Sequence, residues 1–445
     1  MQPEDLVGHA LAQAELDGID VSAARGEWRG AGGADADPLG GASPERAPVP
    51  LRALALRLLD ELDGSVSRYA DREPTDLDAI RAAAPWPAPV PARGGDLLDR
   101  LHGGWLGRAA GCLLGKPVEK IPRRGIREIL SAQGRWPLAD WFTAAGLPDE
   151  VAQRWPWNRR SAPTSLAENI DGMPEDDDLN FAMLALGMLE EHGQALSTED
   201  VAQRWLADLP AGRVFTAERV AYRNLLLGVE PPRTATRHNP FQQWIGAQIR
   251  ADVYGWTHPG DPGRAAELAW RDAVLSHTGN GVYGALFVAA ASAAACVTDD
   301  VDAVLDAGLS VVPAGSRYAE AVRFARELTE RCADWEQVVD GIEARYGDLH
   351  WVHVLHNAAV VVAALRFGGG DFGRTICLTV SAGWDTDSTG ATAGALAGAM
   401  CGARGLPDRW TGPLRNRVAT SLPGFDGVGF DELAARTLAL AEAGS

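Results

Sequence analysis

Cysteine is scarce in this chain. Its 445 residues include Cys112, Cys296, Cys332, Cys377 and Cys401, an odd number with no two at CxxC spacing. That excludes a fully paired disulfide frame and a zinc knuckle, and it fits a reduced cytoplasm. Long apolar runs are also missing. The longest, Val282 to Val297, is mostly Ala and falls short of the roughly 20 residues that a membrane span needs. It reads as a buried helix. The N-terminus shows no basic run followed by an apolar stretch, so no secretory signal is expected and a cytoplasmic location is. Positive charge is short as well: 41 Lys and Arg stand against 60 Asp and Glu, for a net charge of -19. Such a surface repels phosphate backbones and anionic lipids, which argues against nucleic-acid and membrane partners. Alternating strand patterns are rare. Ile376 to Val380 has a strand's composition but no alternating partner nearby, so it is not counted as one. No internal repeat of fixed period is present.

What remains is a hydrophobic fraction of 46%, enough for a sizeable core, and helical patterning. Phe181 to Glu191, Tyr283 to Val297, Leu355 to Phe367 and Ala391 to Met400 are rich in Ala and Leu and lack interior Pro. The fold class expected is all-α. The first 93 residues differ from the rest. Gly30 to Pro50 reads as a flexible linker, Leu51 to Tyr69 as a helix with Leu51, Leu54, Leu58 and Leu62 on one face, and Pro85 to Pro91 as a stiff connector. The division expected is an N-terminal extension over 1–93, a small appendage or a lid, and a main domain over 94–445.

Two acidic stretches carry the chemistry. Glu175-Asp176-Asp177-Asp178 precedes the apolar helix that begins near Phe181. Four consecutive carboxylates repel one another unless cations or donors neutralise them. The run also reads as an N-cap with an acidic first turn, although two residues would suffice for that. The second stretch is Gly383-Trp384-Asp385-Thr386-Asp387-Ser388-Thr389-Gly390. Its hard oxygen groups suit Mg2+, Mn2+ or Ca2+ rather than zinc, and it too reads as a helix cap. It is not an EF-hand loop, because the later Glu is absent. Two such helix starts in one chain suggest a shared dinuclear site.

With three further motifs, these stretches resemble the ADP-ribosylglycohydrolases. The stretch Gly107 to Glu119 is similar to that family's opening GxxxGDAxGxPxE, with Gly107, Gly111, Gly115, Pro117 and Glu119 in place. The acidic run resembles its Thr-Asp-Asp-Thr motif. Gly246 to Gly255, with Arg250, Asp252 and Tyr254, resembles a middle GxxxR loop, and Ser276-His277 resembles a Thr/Ser-His step. Gly383 to Ser388 matches the closing GxDxD(S/T), the most specific of the five.

The resemblance implies an orthogonal all-α bundle with two Mg2+ ions, Mn2+ being possible. It implies an enzyme, a glycosidase that cleaves an N- or O-glycosidic bond of an ADP-ribosyl or related ribosyl substrate. By carry-over the metal ligands are Asp385, Asp387 and Ser388 with residues of the acidic run. One register gives Asp176, Asp177 and Asp178, and sliding by one gives Glu175, Asp176 and Asp177. The first places Phe181 on the family's apolar position. Glu119, Asp177 and Asp385 are the catalytic candidates. His277, Trp384, Arg250 and Tyr254 are the substrate-binding candidates. This chain departs from the pattern at Cys112, where the family has Asp, at the carboxylate in place of the first motif's Thr, and at Asp252, where the family has Pro.

Other features have plainer readings. His350, His353 and His356 fall at helical spacing, as hydrogen-bonded histidines of a partly buried helix or as a transition-metal face. Lys116 reads as a solvated surface lysine or as a contact for a phosphate. Arg213, Phe215 and Tyr222 lie in a segment with no assigned role. Two competing functions share the raw chemistry. One is a Mg2+-dependent enzyme acting on a diphosphate, of the terpene-cyclase kind, with 15 Trp available to line a cavity but no second Asn-Ser/Thr-Glu metal motif. The other is an inactive module that binds ADP-ribose or metal.

Overall fold

The computed structural model describes residues 1–36, 42–91 and 94–443. Among these residues there are 22 α-helices and no strand, only the isolated bridges Met173 to Val418 and Trp244 to His353. The all-α expectation holds. Ile376 to Val380 lies within a helix, Phe372–Ser381.

The organising contact is between two helices rich in small residues, Leu97–Gly115 and Thr386–Cys401. They run antiparallel. Gly103, Gly107, Gly111 and Gly115 face Gly398, Gly394, Gly390 and Thr386, and a Cβ on any of the four would collide with the opposite backbone carbonyl oxygen. Glycine at every fourth position clears one helix face, so the backbones touch along the whole seam. The seam has a consequence for chemistry. The C-terminal end of the first helix, which leads into Lys116 to Glu119, lies beside the start of the second, which carries Asp385 and Asp387.

The fully buried Arg108, on the first helix, ties in two more segments. Its Nε donates to Asp178 O at 2.8 Å, its Nη2 to Ile249 O, and its Nη1 pairs with Asp252. The helix Gly279–Ala295 is buried at every residue and forms the centre of the core. Asp177–His192 and Val354–Gly368 complete the frame around the acidic groups.

The N-terminal residues pack against this body. The helix Pro3–Leu16 lies on Val49–Asp63, which ends at Gly64, well before the end expected at Tyr69. The His9 ring meets Phe241, Trp244 and His350 at centroid distances of 5.0, 5.7 and 5.6 Å. Arg317 binds Asp17 at 2.8 Å and Glu73 at 2.7 Å. The Pro-rich connector is stitched down, Trp86 N to Ser310 O at 2.9 Å and Val90 N to Gly260 O at 2.7 Å. At the start of the expected linker, Gly30 is the last residue of a helix, Ser22–Gly30, and residues 37–41 lie outside the described residues, as do 92 and 93 at the expected division.

Candidate active site

The acidic run does begin a helix. Asp176 caps Asp177–His192, its Oδ1 accepting from Asp178 N at 3.0 Å. Glu175 turns aside, to Arg213 at 2.7 Å, Ser421 N at 2.9 Å and Asn180 at 3.2 Å. Asp176 and Asp178 instead face the helix Leu97–Gly115 and the short turn Lys116–Val118 at its end. Asp176 pairs with Lys116, and Asp178 Oδ2 lies 3.8 Å from the Cys112 thiol.

At the other helix start, Asp385 O accepts from Thr389, and Asp387 Oδ1 accepts from Ser388 N at 3.1 Å. Asp385, Asp387 and Ser388 are buried. Gly383 and Trp384 both have positive φ, 85° and 63°, a sharp turn that delivers Asp385 inward. Glu119 follows the turn Lys116–Val118 and accepts from Asn158 Nδ2 at 2.5 Å.

These carboxylates feel one another. Burial first, then Asp176, Asp387 and Glu218, pushes Asp177 well above the usual carboxylate range. Burial and Asp387 do the same to Asp385. Asp178 is raised by burial and Asp176 against the pull of Arg108, and Asp387 by burial and Asp176. Burial and Asp387 push Glu119 up to about 7. Mutual repulsion at this density calls for a cation. The donors fit a hard divalent ion: they are carboxylate oxygens with a neighbouring serine, and Asp178 Oδ1 is buried with no hydrogen-bond partner.

The substrate-binding candidates divide. Trp384 adjoins Asp385, its ring 5.1 Å from that of His356. His277 is buried, with Nδ1 2.8 Å from Ser276 Oγ and Nε2 4.0 Å from Glu218. Burial holds its pKa well below the usual value, so the ring is neutral. Arg250 and Tyr254 are not brought to the acidic groups. Both are fully buried. Arg250 is occupied by Glu218 at 2.6 Å, Asp272 at 2.8 Å and Ser276 at 2.9 Å, and Tyr254 donates to Asp272 at 2.8 Å. Arg250 holds Glu218 in place. The three histidines do not share one helix face. His350 precedes the helix Val354–Gly368, His353 caps it, and His356 Nε2 lies 3.1 Å from Trp351 O.

Lys116 differs from its expectation. It is 6% exposed and ion-paired within the acidic cluster, not a solvated surface lysine. Sequence reasoning also passed over Glu218, which lies in the segment between Phe215 and Tyr222 that had no role. A buried Glu on the helix Thr216–Leu226 carries no local motif, and its partner Arg250 is far away in sequence. Asn158, the donor to Glu119, had no signal beyond its Trp-bearing loop.

A separate polar cavity of about 250 Å3 lies between the N-terminal residues and the body, lined by Gln13, Asp17, Asp63, Glu73, His238 and Gln243 among others. Near it, Asp60 and Asp63 approach His238, but Arg237 already pairs with Asp60 at 3.1 Å.

Known proteins resemble this chain. A family model described as ADP-ribosylglycohydrolase matches residues 93–444. An uncharacterised protein of Archaeoglobus fulgidus is 27% identical over 316 residues, covering 70% of this chain and 90% of its own length. A solved structure of an ADP-ribosylglycohydrolase-related protein complex is 21% identical, with a TM-score of 0.49, covering 78% of this chain and 99% of its own.

Proposed function

The chain belongs to the ADP-ribosylglycohydrolase family, glycosidase-type hydrolases, and on that premise we propose that it is a Mg2+-dependent enzyme cleaving an N- or O-glycosidic bond of an ADP-ribosyl or related ribosyl substrate. The carrying observation is the glycine seam that sets the turn leading to Glu119 against the helix start bearing Asp385 and Asp387; burial with Asp387 raises Glu119 and Asp385, and burial with Asp176 and Asp387 raises Asp177. Family membership sets the diphosphate reading aside.

Breaking a ribosyl C1–N or C1–O bond builds positive charge on the sugar. The buried carboxylates supply the opposing negative charge at low dielectric, where it counts most. Glu119, with a pKa of about 7, exchanges a proton near neutral pH and is suited to take one from the attacking water. Asn158 fixes its rotamer from one side. Trp384 offers a flat face to a planar group, and the neutral His277 stands behind Glu218, beside Ser276. Mg2+, or Mn2+ in its stead, would when bound supply positive charge to orient sugar oxygens and to acidify water. Asp176, Asp177, Asp178, Asp385, Asp387 and Ser388 are the residues that would hold it.

The test is to incubate the protein with an ADP-ribosylated protein and with small ADP-ribose conjugates, with Mg2+ and with a chelator, and to follow ribosyl products by chromatography. Release that needs Mg2+ is expected. Metal binding with no release from any ribosyl substrate would instead favour a binding module.

A further inference from the structure

Lys116 is a lysine in a chain that has almost none. Only Lys116 and Lys120 occur, and the remaining basic side chains, histidine apart, are arginine. Arginine presents a broad flat fork, whereas lysine presents a compact point charge. A compact charge is the shape that can stand in for a small cation.

The ammonium is buried against the acidic run, 3.5 Å from Glu175 O. It pairs with Asp176 Oδ2 and acts electrostatically on Asp177, Asp387 and Glu119. Asp176 is thereby engaged at both oxygens: Oδ2 faces the ammonium and Oδ1 accepts the backbone N–H of Asp178. Two-metal sites hold their ions about 3.5–4 Å apart, and a fixed ammonium in that space repels a second divalent ion strongly at low dielectric.

We propose that the Lys116 ammonium takes the place of one of the two expected metal ions, so that the chain binds a single divalent cation on the side of Glu119, Asp385 and Asp387. This rests on the metal-dependent reading above and revises the two-ion expectation drawn from the resemblance. Asp176 is then the anchor of the lysine, not a metal ligand. The extra carboxylate and the buried lysine form one matched pair.

The experiment counts ions on the full chain with MnCl2, by titration calorimetry and electron paramagnetic resonance. The expected result is one Mn2+ per chain with the spectrum of an isolated ion. Lys116→Gln, or Lys116→Met if the first variant does not fold, is expected to bind a second Mn2+ and to show a spin-coupled pair. Two ions on the wild-type chain overturn the proposal and leave the metal-dependent hydrolase intact. One ion on both the wild type and a folded variant overturns the role of Lys116. No ion on the wild type overturns the proposal and the metal-dependent reading together.

Discussion

Gly111 and Gly390 meet backbone to backbone, each too close to the other's carbonyl to admit a Cβ. That contact holds the end of one helix against the start of another and so brings Glu119 next to Asp387.

Gly111→Ala should therefore act on both stability and the site. The added methyl meets a main-chain oxygen that cannot swing away, so the helices must separate. Overpacking of this kind costs about 1–3 kcal/mol, and the upper end is expected in so tight a seam. A urea midpoint unchanged from wild type would show that the seam is looser than described.

Asp385→Ala and Asp177→Ala should each abolish Mg2+ binding and turnover while the fold survives. Both remove an ionisable oxygen from a place where like charges already repel, so folding need not suffer. Calorimetry is the measurement, and unchanged Mg2+ affinity in both variants would refute the ligand assignment.

Glu119 gives the pH dependence. Its carboxyl rises from the ordinary 4.5 to about 7 in the metal-free fold. The folded state then holds a proton that the unfolded state gives up, so this group favours the fold at low pH. Its contribution fades as pH rises from 4.5 through about 7. Mg2+ favours the ionised form, so binding at about pH 6 should release protons. Calorimetry in buffers of different ionisation enthalpy reads that release, and Glu119→Gln should reduce it. Activity resting on ionised Glu119 should fall as the pH is lowered, and the Gln variant should lose that limb along with most of its rate.

Arg250→Met tests the support behind the site. Removing the guanidinium strands Glu218 and Asp272 in a buried place. Breaking a buried pair in this way costs about 3–5 kcal/mol. Lysine should rescue little, because it cannot span Glu218, Asp272 and Ser276 at once. Denaturant midpoints for both variants provide the check.

Much of this was legible from the chain alone. Helix periodicity revealed Asp177–His192 and Val354–Gly368, because apolar spacing is a local property. The acidic stretches revealed themselves because both lie at helix starts. Contacts made across long sequence separations were not legible. Lys116 looks like any surface lysine until the fold sets Asp176 beside it, and Glu218 has no motif at all. Arg250 and Tyr254 were read as substrate groups because they sit in a motif, yet each is enclosed by partners drawn from another helix. The helix Val49–Asp63 is capped at Gly64, and beyond it Arg68 N donates to Asp17 O at 3.0 Å, a long-range contact that no local pattern announces.

Arg108 has a consequence for motion. Its single guanidinium clamps the first turn of Asp177–His192, the turn Ile245–Arg250 through Ile249 O, and Asp252. Movement of any of these three segments takes a partner away from the buried cation. Amide hydrogens one turn into the Asp177 helix should thus exchange slowly with solvent, so that the acidic centre behaves as part of the slowly exchanging core.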